Sequence, residues 1–355
     1  MTVKNLLEVF ETWRAEKKPL VVASVFETAG STYSKTGAHM LINGDGQFSG
    51  MLSGGCLEGD LAEHAQLALR SGIPRVVTYD LGDNENELWG LGVGCDGLMH
   101  IFLLPIYAEK GYEPFKAIAD GLGGDKILVS TTVIESDIDD LPIGTSLVTV
   151  DDKLTFSNVD VKFEKDIVGV IGSSVVNQQS QTSDYVVEHE RARLLCSVLK
   201  PPPAILVLGG GLDAPPVVRF AAELGWKVTL QDHRPGYIEA GDFDKAEQVL
   251  CVPVDSLSEA VELDCYSAAI VMSHHLDNDR KYLRQLSQSC VGYIGLLGPL
   301  ARRQRILREL GEVGRALESR LHGPAGLDIG GRGPASIALS IIAEMHKNLM
   351  SESDS

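Results

Sequence analysis

The chain has 355 residues, of which 44% are hydrophobic, and it carries a formal net charge of −18 at pH 7. This length predicts two or three domains with a sizeable core, and the acidity argues against nucleic acid or an anionic membrane as the main partner. No apolar run reaches the roughly 18 residues needed to span a bilayer, and the N-terminus reads as an amphipathic helix without a signal-peptide core, so we expect a cytoplasmic protein.

Helix and strand patterns alternate through the first hundred residues. Apolar residues recur at helical spacing from Leu6 to Trp13, and this helix is expected to end before Pro19. A second helix is predicted from Leu57 to about Arg70. Strands are predicted at 20–26, 37–42, 47–52, 75–80 and 98–104.

Two cysteines lie in glycine-rich loops between these elements. Cys56 is in the segment 53–60, SGGCLEGD, and Cys95 is in the segment 92–97, GVGCDG. Glycines let main-chain N–H groups approach a ligand, and a helix that starts near Leu57 would aim its positive end at Cys56. The alternative is two tight turns that carry a small apolar residue. Because the motif occurs twice, we favour a site for a soft metal or an activated sulfur.

The other cysteines are assigned no chemistry. None of the six forms a C-x-x-C pair, which argues against a zinc knuckle or a disulfide framework. We expect reduced thiols, with Cys251, Cys265 and Cys290 in the core.

The middle of the chain carries no motif with recognisable chemistry. Its pattern predicts a small β-rich module with strand candidates at 126–134 and 146–150, followed by a polar connector near 177–183. The prolines at 201–203 mark a boundary, because proline blocks both helix continuation and strand pairing. The predicted domains are therefore 1–108, 109–200 and 201–355.

A dinucleotide-binding pattern follows the prolines. The segment 209–214, GGGLDA, lies between a strand at 204–208 and a helical stretch, and the next strand ends at Asp232. This context predicts a Rossmann-type, doubly wound parallel sheet, with Gly209 in the turn, Gly211 beside a phosphate and Asp232 on a ribose hydroxyl. The alternative is the same fold with an empty or reused nucleotide site.

Polar residues gather at further strand ends of this domain. Two histidines and two aspartates in the segment 273–279 could ligate a metal or move protons, but we favour a histidine capping the strand and Asp279 as a helix N-cap. Arg302 and Arg303 could bind phosphate or lie on an exposed helix. Glu344, in an apolar helix, is expected to be either a paired buried acid or an edge residue.

Segments at both ends of the chain resemble the xanthine dehydrogenase accessory family, XdhC/CoxI. The residues similar to its N-terminal domain are 27–32, 37–40, 53–60 and 92–97, and those similar to its Rossmann domain are 209–216, 232–235, 273–279, 293–298 and 323–330. The resemblance implies that the chain binds molybdenum cofactor, protects it, assists its sulfuration with a cysteine desulfurase, and delivers it to a xanthine dehydrogenase or related molybdenum hydroxylase. It also implies a homodimer with the cofactor in a cleft between domains.

With this resemblance, the candidate cofactor contacts are Gly54, Gly55, Cys56, Glu58, Cys95, Gly209, Gly211, Asp232 and His274. Cys56 and Cys95 are expected to contact the molybdenum centre or to relay sulfur as a persulfide. The Rossmann loop could take a phosphate or a nucleotide extension of the cofactor.

Two other functions fit parts of the sequence. One is an NAD(P)-dependent oxidoreductase with His274 as an acid, and the other is a transferase or hydrolase in which Cys56 works with His39 or His64. Neither needs two cysteine loops and a Rossmann domain in one chain. The sequence therefore favours an α/β accessory factor with an N-terminal cysteine-loop domain and a C-terminal Rossmann-like sheet.

Overall fold

The computed structural model describes residues 3–80, 97–124 and 126–351. The chain divides into two compact units, Met1–Pro201 and Pro202–Ser355. Strand ladders are antiparallel in the first unit and parallel in the second, and helices occur in both, so the predicted α/β class is confirmed. None of the helices in the described ranges combines the length and apolar character needed to cross a membrane.

The first unit begins with a five-stranded antiparallel sheet of order β3-β2-β1-β5-β4. Its strands are β1 (Leu20–Ala29), β2 (His39–Asn43), β3 (Phe48–Ser49), β4 (Arg75–Asp80) and β5 (Leu98–Ile106). The accompanying helices are α1 (Val3–Ala15) and α2 (Glu58–Ser71). These positions confirm the strands and helices predicted for this region, although β3 is only two residues long.

Strand β1 is buried on both faces. Val22 and Phe26 belong to the hydrophobic cluster that contains Phe10 of α1. Val21 and Val25 belong to a second cluster, which contains the apolar face of α2. Because successive side chains of a strand point to opposite faces, burial on both sides explains why residues 20–26 read as a continuous apolar run.

A second antiparallel sheet, of order β8-β7-β6-β10-β9, completes the first unit. Its strands are β6 (Leu128–Ser136), β7 (Ser146–Val150), β8 (Lys153–Ser157), β9 (Gln181–Val187) and β10 (Glu190–Leu199), and its helices are α3 (Phe115–Leu122) and α4 (Val161–Asn177). Ile134 and Leu195 of this sheet share a hydrophobic cluster with Phe26 and Leu41 of the first sheet. The domain boundary proposed at residue 108 stays a prediction.

The sequence analysis misassigned part of this region. The segment 177–183 was predicted to be a connector, but β9 begins within it, and α4 was not predicted. Strand β9 is at the edge of its sheet and mostly polar, so it lacks a clear apolar alternation. Helix α4 is rich in valine and glycine, which have low helix propensity, and it forms because one face packs on the sheet.

The second unit contains a six-stranded parallel sheet of order β13-β12-β11-β14-β15-β16. Its strands are β11 (Ala204–Leu208), β12 (Lys227–Gln231), β13 (Gln248–Leu250), β14 (Ala268–Val271), β15 (Tyr293–Leu296) and β16 (Leu321–His322). The helices are α5 (Ala214–Glu223), α6 (Pro235–Ala240), α7 (Leu257–Ala260), α8 (Leu276–Leu286), α9 (Leu300–Leu310), α10 (Glu312–Leu317) and α11 (Pro334–Ser351). This strand order reverses between β11 and β14, as in a Rossmann fold, and confirms the doubly wound sheet.

The prediction that three cysteines lie in the core is wrong. Cys251, Cys265 and Cys290 are all exposed, whereas Cys196 in β10 is buried. The three exposed cysteines lie at or beyond the ends of strands and helices, outside the packed layers. Cysteine is among the residues that are most often buried. Whether a given cysteine is buried nevertheless depends on its position in a strand or helix, and these three lie at or beyond the ends.

His39 is a half-buried titratable residue at the start of β2. Its Nδ1 lies 2.8 Å from the Ser24 hydroxyl on the paired strand β1. Its Nε2 is buried without a hydrogen-bond partner among the described residues. Burial lowers the pKa of His39 from 6.5 to about 4, because the charged imidazolium would lose its hydration.

We predict that the first unit becomes less stable as the pH falls. Between about pH 7.5 and about pH 5 the unfolded chain takes up a proton at His39 while the folded chain does not, so the free energy of unfolding falls by about 2 kcal/mol. Hydrogen exchange of peptides from β1 and β2, corrected for intrinsic rates, measures this loss. The His39→Gln variant has no titrating group at this position. Over the same pH range its free energy of unfolding should therefore fall by about 2 kcal/mol less than that of the original protein. Equal losses in the two proteins would contradict the prediction.

Candidate functional site

The Cys56 loop leads directly into α2. Gly54 and Gly55 have φ values of 81° and 106°, which are left-handed values that favour glycine. Cys56 follows them with its side chain half-buried, and α2 begins at Glu58. The predicted start of the helix next to Cys56 is confirmed. A Cβ built on Gly55 would meet nothing within 4 Å, so this side of the loop is open.

The carboxylate of Glu58 holds the loop in place. Its side chain is only 1% exposed. Its Oε1 accepts hydrogen bonds from the backbone N–H of Leu52 at 2.9 Å and of Ser53 at 2.8 Å. Its Oε2 accepts from the Ser53 hydroxyl at 2.5 Å and from the N–H groups of Gly55 and Leu57 at 3.1 and 3.2 Å. One side chain therefore fixes the backbone on both sides of Gly54.

These bonds also determine the charge of Glu58. Burial alone would raise the pKa of this carboxyl, but the hydrogen bonds from Ser53 and Leu52 outweigh it and lower the pKa below its ordinary value. The N–H groups of Gly55 and Leu57, which could have met a bound anion, are already occupied. The structure thus gives Glu58 a positioning role in the loop, and its contact with a cofactor stays a prediction.

One short segment contacts the Cys56 loop and Gly97. A Cβ built on Gly54 would lie 3.3 Å from the ring of Tyr33, which is 62% exposed. A Cβ built on Gly97 would lie 2.5 Å from the carbonyl oxygen of Ser31. The segment from Ser31 to Tyr33 therefore packs against the Cys56 loop and against the end of the second glycine motif. Cys95 itself lies outside the described residues.

The histidines proposed as partners of Cys56 have other contacts. His39 interacts with Ser24, and the Nε2 of His64 lies 3.6 Å from a carboxylate oxygen of Asp60. Within the described ranges Cys56 forms no hydrogen bond with either histidine, and no group of three or more His, Cys, Asp or Glu residues could hold a metal ion. This geometry offers no support for a cysteine–histidine nucleophile.

The glycine loop of the Rossmann unit is closely packed. Gly209 has a φ of 121°, and a Cβ there would lie 2.6 Å from the carbonyl oxygen of Met272. A Cβ on Gly211 would lie 3.4 Å from the ring of His274. The ends of β11 and β14 approach each other so closely that only glycine fits at position 209. The ring of His274 lies next to Gly211 in the same loop.

The loop has few features that would attract a pyrophosphate. His274 has a φ of 58°, and its Nε2 lies 3.2 Å from a carboxylate oxygen of Asp213. Pro215 and Pro216 stand in the first turn of α5 and have no N–H to donate. An acid and two prolines thus replace part of the donor set that usually binds phosphate at this helix. The phosphate contact predicted for Gly211 and the cofactor contacts predicted for Gly209 and His274 stay predictions.

Asp232 is buried and fully engaged. Its Oδ2 accepts from the N–H of Gly210 and from Nη2 of Arg234, both at 2.7 Å. Its Oδ1 accepts from Nε and the backbone N–H of Arg234, both at 2.9 Å. Burial alone would raise the pKa of the Asp232 carboxyl, but the bonds from Arg234 and Gly210 lower it. The ribose contact of Asp232 stays a prediction, and Arg234 is a residue that the sequence analysis missed.

A similar buried acid lies at the end of β14. Asp279 accepts from the Ser273 hydroxyl at 2.5 Å and from Nε and Nη2 of Arg302 at 2.9 and 2.5 Å. Because α8 begins at Leu276, Asp279 lies within the helix, and its assignment as N-cap is wrong. Arg302 is a partner of this acid.

Glu344 is a paired, largely buried acid, which was one of the two predicted alternatives. It accepts from the hydroxyl of Tyr293 at 2.6 Å and from the N–H of Gly326 at 2.7 Å. Nδ1 of His322 lies 3.6 Å away. Glu344 thereby anchors the loop that follows β16.

Two pockets lie at the carboxyl ends of the parallel strands. A pocket of about 600 Å³ is lined by the residues after β15, by the loop 324–331 and by the first turns of α11. A pocket of about 390 Å³ lies beyond β12 and β13 and is lined by His233, Cys251, Val252, Pro253, Val254, Asp255, Asn278 and Lys281. Each half of the sheet thus has a cavity of a size that small ligands occupy, at the edge where such folds bind them.

We predict that Glu58→Gln loosens the Cys56 loop. The amide nitrogen of glutamine cannot accept the N–H of Gly55, and an unpaired buried donor costs about 1–3 kcal/mol. Alkylation of Cys56 by iodoacetamide, followed by peptide mass spectrometry, should therefore become about fivefold faster or more. Glu63→Gln, on the exposed side of the same helix, is the matched control and should react like the original protein. If both variants react at the original rate, Glu58 does not hold the loop.

Both units of the chain match models of known protein families. Residues 13–80 match the family model "XdhC and CoxI family", and residues 205–345 match "XdhC Rossmann domain". A probable xanthine dehydrogenase subunit of Bacillus subtilis is 28% identical over 341 residues, or 96% of each chain. The "Molybdenum cofactor insertion chaperone PaoD" of Escherichia coli is 21% identical over 331 residues, or 92% of this chain and 83% of that protein.

A solved structure extends the similarity to the fold. The crystal structure of a xanthine dehydrogenase from Bacillus halodurans has a TM-score of 0.80 and 27% identity, covering 99% of this chain and 96% of that chain. The two family models occur in the order that the sequence motifs predicted. The chain therefore belongs to the XdhC and CoxI family.

Proposed function

We propose that this chain is an accessory factor that binds molybdenum cofactor, protects it, and delivers it to a xanthine dehydrogenase or a related molybdenum hydroxylase. Similarity along almost the whole length to a molybdenum cofactor insertion chaperone and to a probable subunit of xanthine dehydrogenase supports this role. The observation that carries the proposal is the Cys56 loop, which presents a thiol next to open backbone and is held by a buried carboxylate.

The chemistry of this loop suits the cargo. Thiolate is a soft ligand, so Cys56 is a suitable contact for a metal centre that is already bound by sulfur. The open space beside Gly55 leaves room for a group to approach the thiol. Cys95 belongs to the second glycine motif, whose last residue, Gly97, packs on the segment that also covers Gly54. We infer that both thiols serve the same cargo.

The ring of Tyr33 provides a second contact for the cargo. One part of the ring rests on Gly54, and 62% of the residue is exposed. Aromatic rings stack favourably on planar heterocycles in an offset arrangement. We infer that the pterin ring of the cofactor stacks on Tyr33 while its metal end reaches Cys56.

Sulfuration with a cysteine desulfurase forms part of this proposal. The Cys56 thiolate attacks the outer sulfur of the desulfurase persulfide: a new S–S bond forms at Cys56, the S–S bond of the desulfurase breaks, and the inner sulfur of its cysteine leaves as a thiolate. The sulfur is then available next to the bound cargo. The predicted homodimer and cytoplasmic location also belong to the proposal.

We predict that Cys56→Ser weakens anaerobic binding of isolated molybdenum cofactor by about tenfold or more, which is ~1.4 kcal/mol. Serine keeps the size of the side chain but replaces the soft sulfur with a hard oxygen. Cys95→Ser should act in the same direction. Cys290→Ser changes an exposed cysteine of the Rossmann unit and is the control for the loss of a thiol. Unchanged binding and unchanged activation of the client enzyme by Cys56→Ser would refute the central role of this loop.

We predict that Tyr33→Leu weakens cofactor binding by roughly 1–3 kcal/mol, the usual contribution of one aromatic stack. Tyr33→Phe keeps the ring and should bind like the original protein. Quenching of pterin fluorescence on binding, lost in the leucine variant and kept in the phenylalanine variant, gives a readout that is specific to stacking. The same affinity and quenching in all three proteins would exclude Tyr33 from the site.

A further inference from the structure

The pocket of about 390 Å³ in the Rossmann unit has no role in the function proposed above. It lies beyond the ends of β12 and β13, in the half of the sheet formed by β11, β12 and β13. In Rossmann folds, each half of the sheet binds one mononucleotide at the carboxyl ends of its strands. The pocket therefore lies where the first half of a Rossmann sheet, formed here by β11, β12 and β13, binds its nucleoside.

The usual recognition of an unmodified ribose is blocked here. It requires an acid at the end of the second strand that accepts from ribose hydroxyls. Asp232 occupies that position, but it is 1% exposed, and both of its oxygens already accept from Arg234, one of them also from Gly210. A ribose hydroxyl could bind Asp232 only by breaking a charge-assisted hydrogen bond, which is costly for a buried carboxylate.

The accessible member of this ion pair is the guanidinium. The side chain of Arg234 is 32% exposed, and its Cζ lies 3.7 Å from the ring centroid of Tyr237. Asp232 on one side and the aromatic ring on another hold the guanidinium in one orientation, so little entropy is lost when it binds a further group. An arginine at this place in the fold accommodates a phosphate on the ribose.

Two nitrogen-bearing side chains line the pocket, and Arg234 adjoins it through its neighbour in the chain. They belong to His233, next to Arg234 in the chain, and to Lys281 of α8. Lys281 forms an ion pair with Asp255 in which both side chains are exposed, at 43% and 66%. Exposed pairs contribute little to stability, so a phosphate can compete with Asp255 for the ammonium group. The pocket thus offers the ammonium group of Lys281 and lies beside the residue that precedes Arg234, although the chain as a whole has a charge of −18.

We propose that this pocket binds an adenine nucleotide that carries a phosphate on the ribose 2′-oxygen, and that Arg234 and Lys281 recognise this phosphate. The ligand class is the 2′-phosphorylated adenosine nucleotide that forms one half of NADP, and the same nucleotide without the 2′-phosphate is discriminated against. This site is independent of the Cys56 loop, so it can be present or absent whatever the outcome of the cofactor-binding experiments.

The test compares two fragments that differ only in the 2′-phosphate. Isothermal titration of the full chain with 2′,5′-ADP and with 5′-AMP should give at least about tenfold tighter binding of 2′,5′-ADP, which is ~1.4 kcal/mol. NADPH should likewise bind more tightly than NADH. Equal affinities for the two fragments, tighter binding of 5′-AMP, or no binding of either would overturn the proposal.

Variants then identify the residues that recognise the phosphate. Arg234→Gln should remove the preference for 2′,5′-ADP, while Arg219→Gln, an exposed arginine of α5, should keep it. Because Arg234→Gln leaves Asp232 without its cation and could unfold the unit, Lys281→Gln is the second variant, and it should reduce the preference without changing the thermal midpoint. If folded Arg234→Gln or Lys281→Gln keeps the full preference for 2′,5′-ADP over 5′-AMP, the contact assigned between that residue and the 2′-phosphate is refuted.

Discussion

The Cys56 loop depends on one buried carboxylate. Glu58 accepts hydrogen bonds from the backbone before and after Gly54, so the loop has its shape only while this acid is ionised and buried. A buried charge is tolerated in a protein when hydrogen bonds compensate for its lost hydration, and here the backbone of the loop provides them. The loop and the acid therefore stabilise each other, and the thiol is held in a defined position before any ligand arrives.

The Rossmann unit uses the same device at three loops. Asp232 holds the glycine loop through Gly210, Asp279 holds the loop after β14 through Ser273, and Glu344 holds the loop after β16 through Gly326. The partners differ: arginine compensates two of these acids, and a tyrosine hydroxyl together with a backbone N–H compensates the third. An acidic chain thus places some of its carboxylates inside, where they order the loops at the carboxyl ends of the strands.

This arrangement favours binding over covalent chemistry at the Rossmann loop. Preorganised loops lose little conformational entropy when a ligand binds, which raises affinity. The two acids that are paired with arginine, Asp232 and Asp279, however, already accept hydrogen bonds on both carboxylate oxygens, which disfavours proton transfer or metal binding by either of them. The soft thiol of Cys56 in the first unit and the pocket beside His233 and Lys281 in the second provide different chemistry, for which we proposed a sulfur-rich cargo and a phosphorylated nucleotide respectively.

Local patterns in the sequence were enough to predict the elements of the first hundred residues, the doubly wound sheet, the position of both glycine motifs and the family, because apolar periodicity and glycine spacing are local properties of the chain. They missed α4 and β9, and they did not reveal which groups the acids bind. Asp232 meets Gly210 across 22 positions, and Asp279 meets Arg302 across 23. Such pairs exist only after strands and helices have packed, as does the exposure of Cys251 at a strand end. Tertiary structure therefore decided which residues hold the loops and which remain available for a ligand.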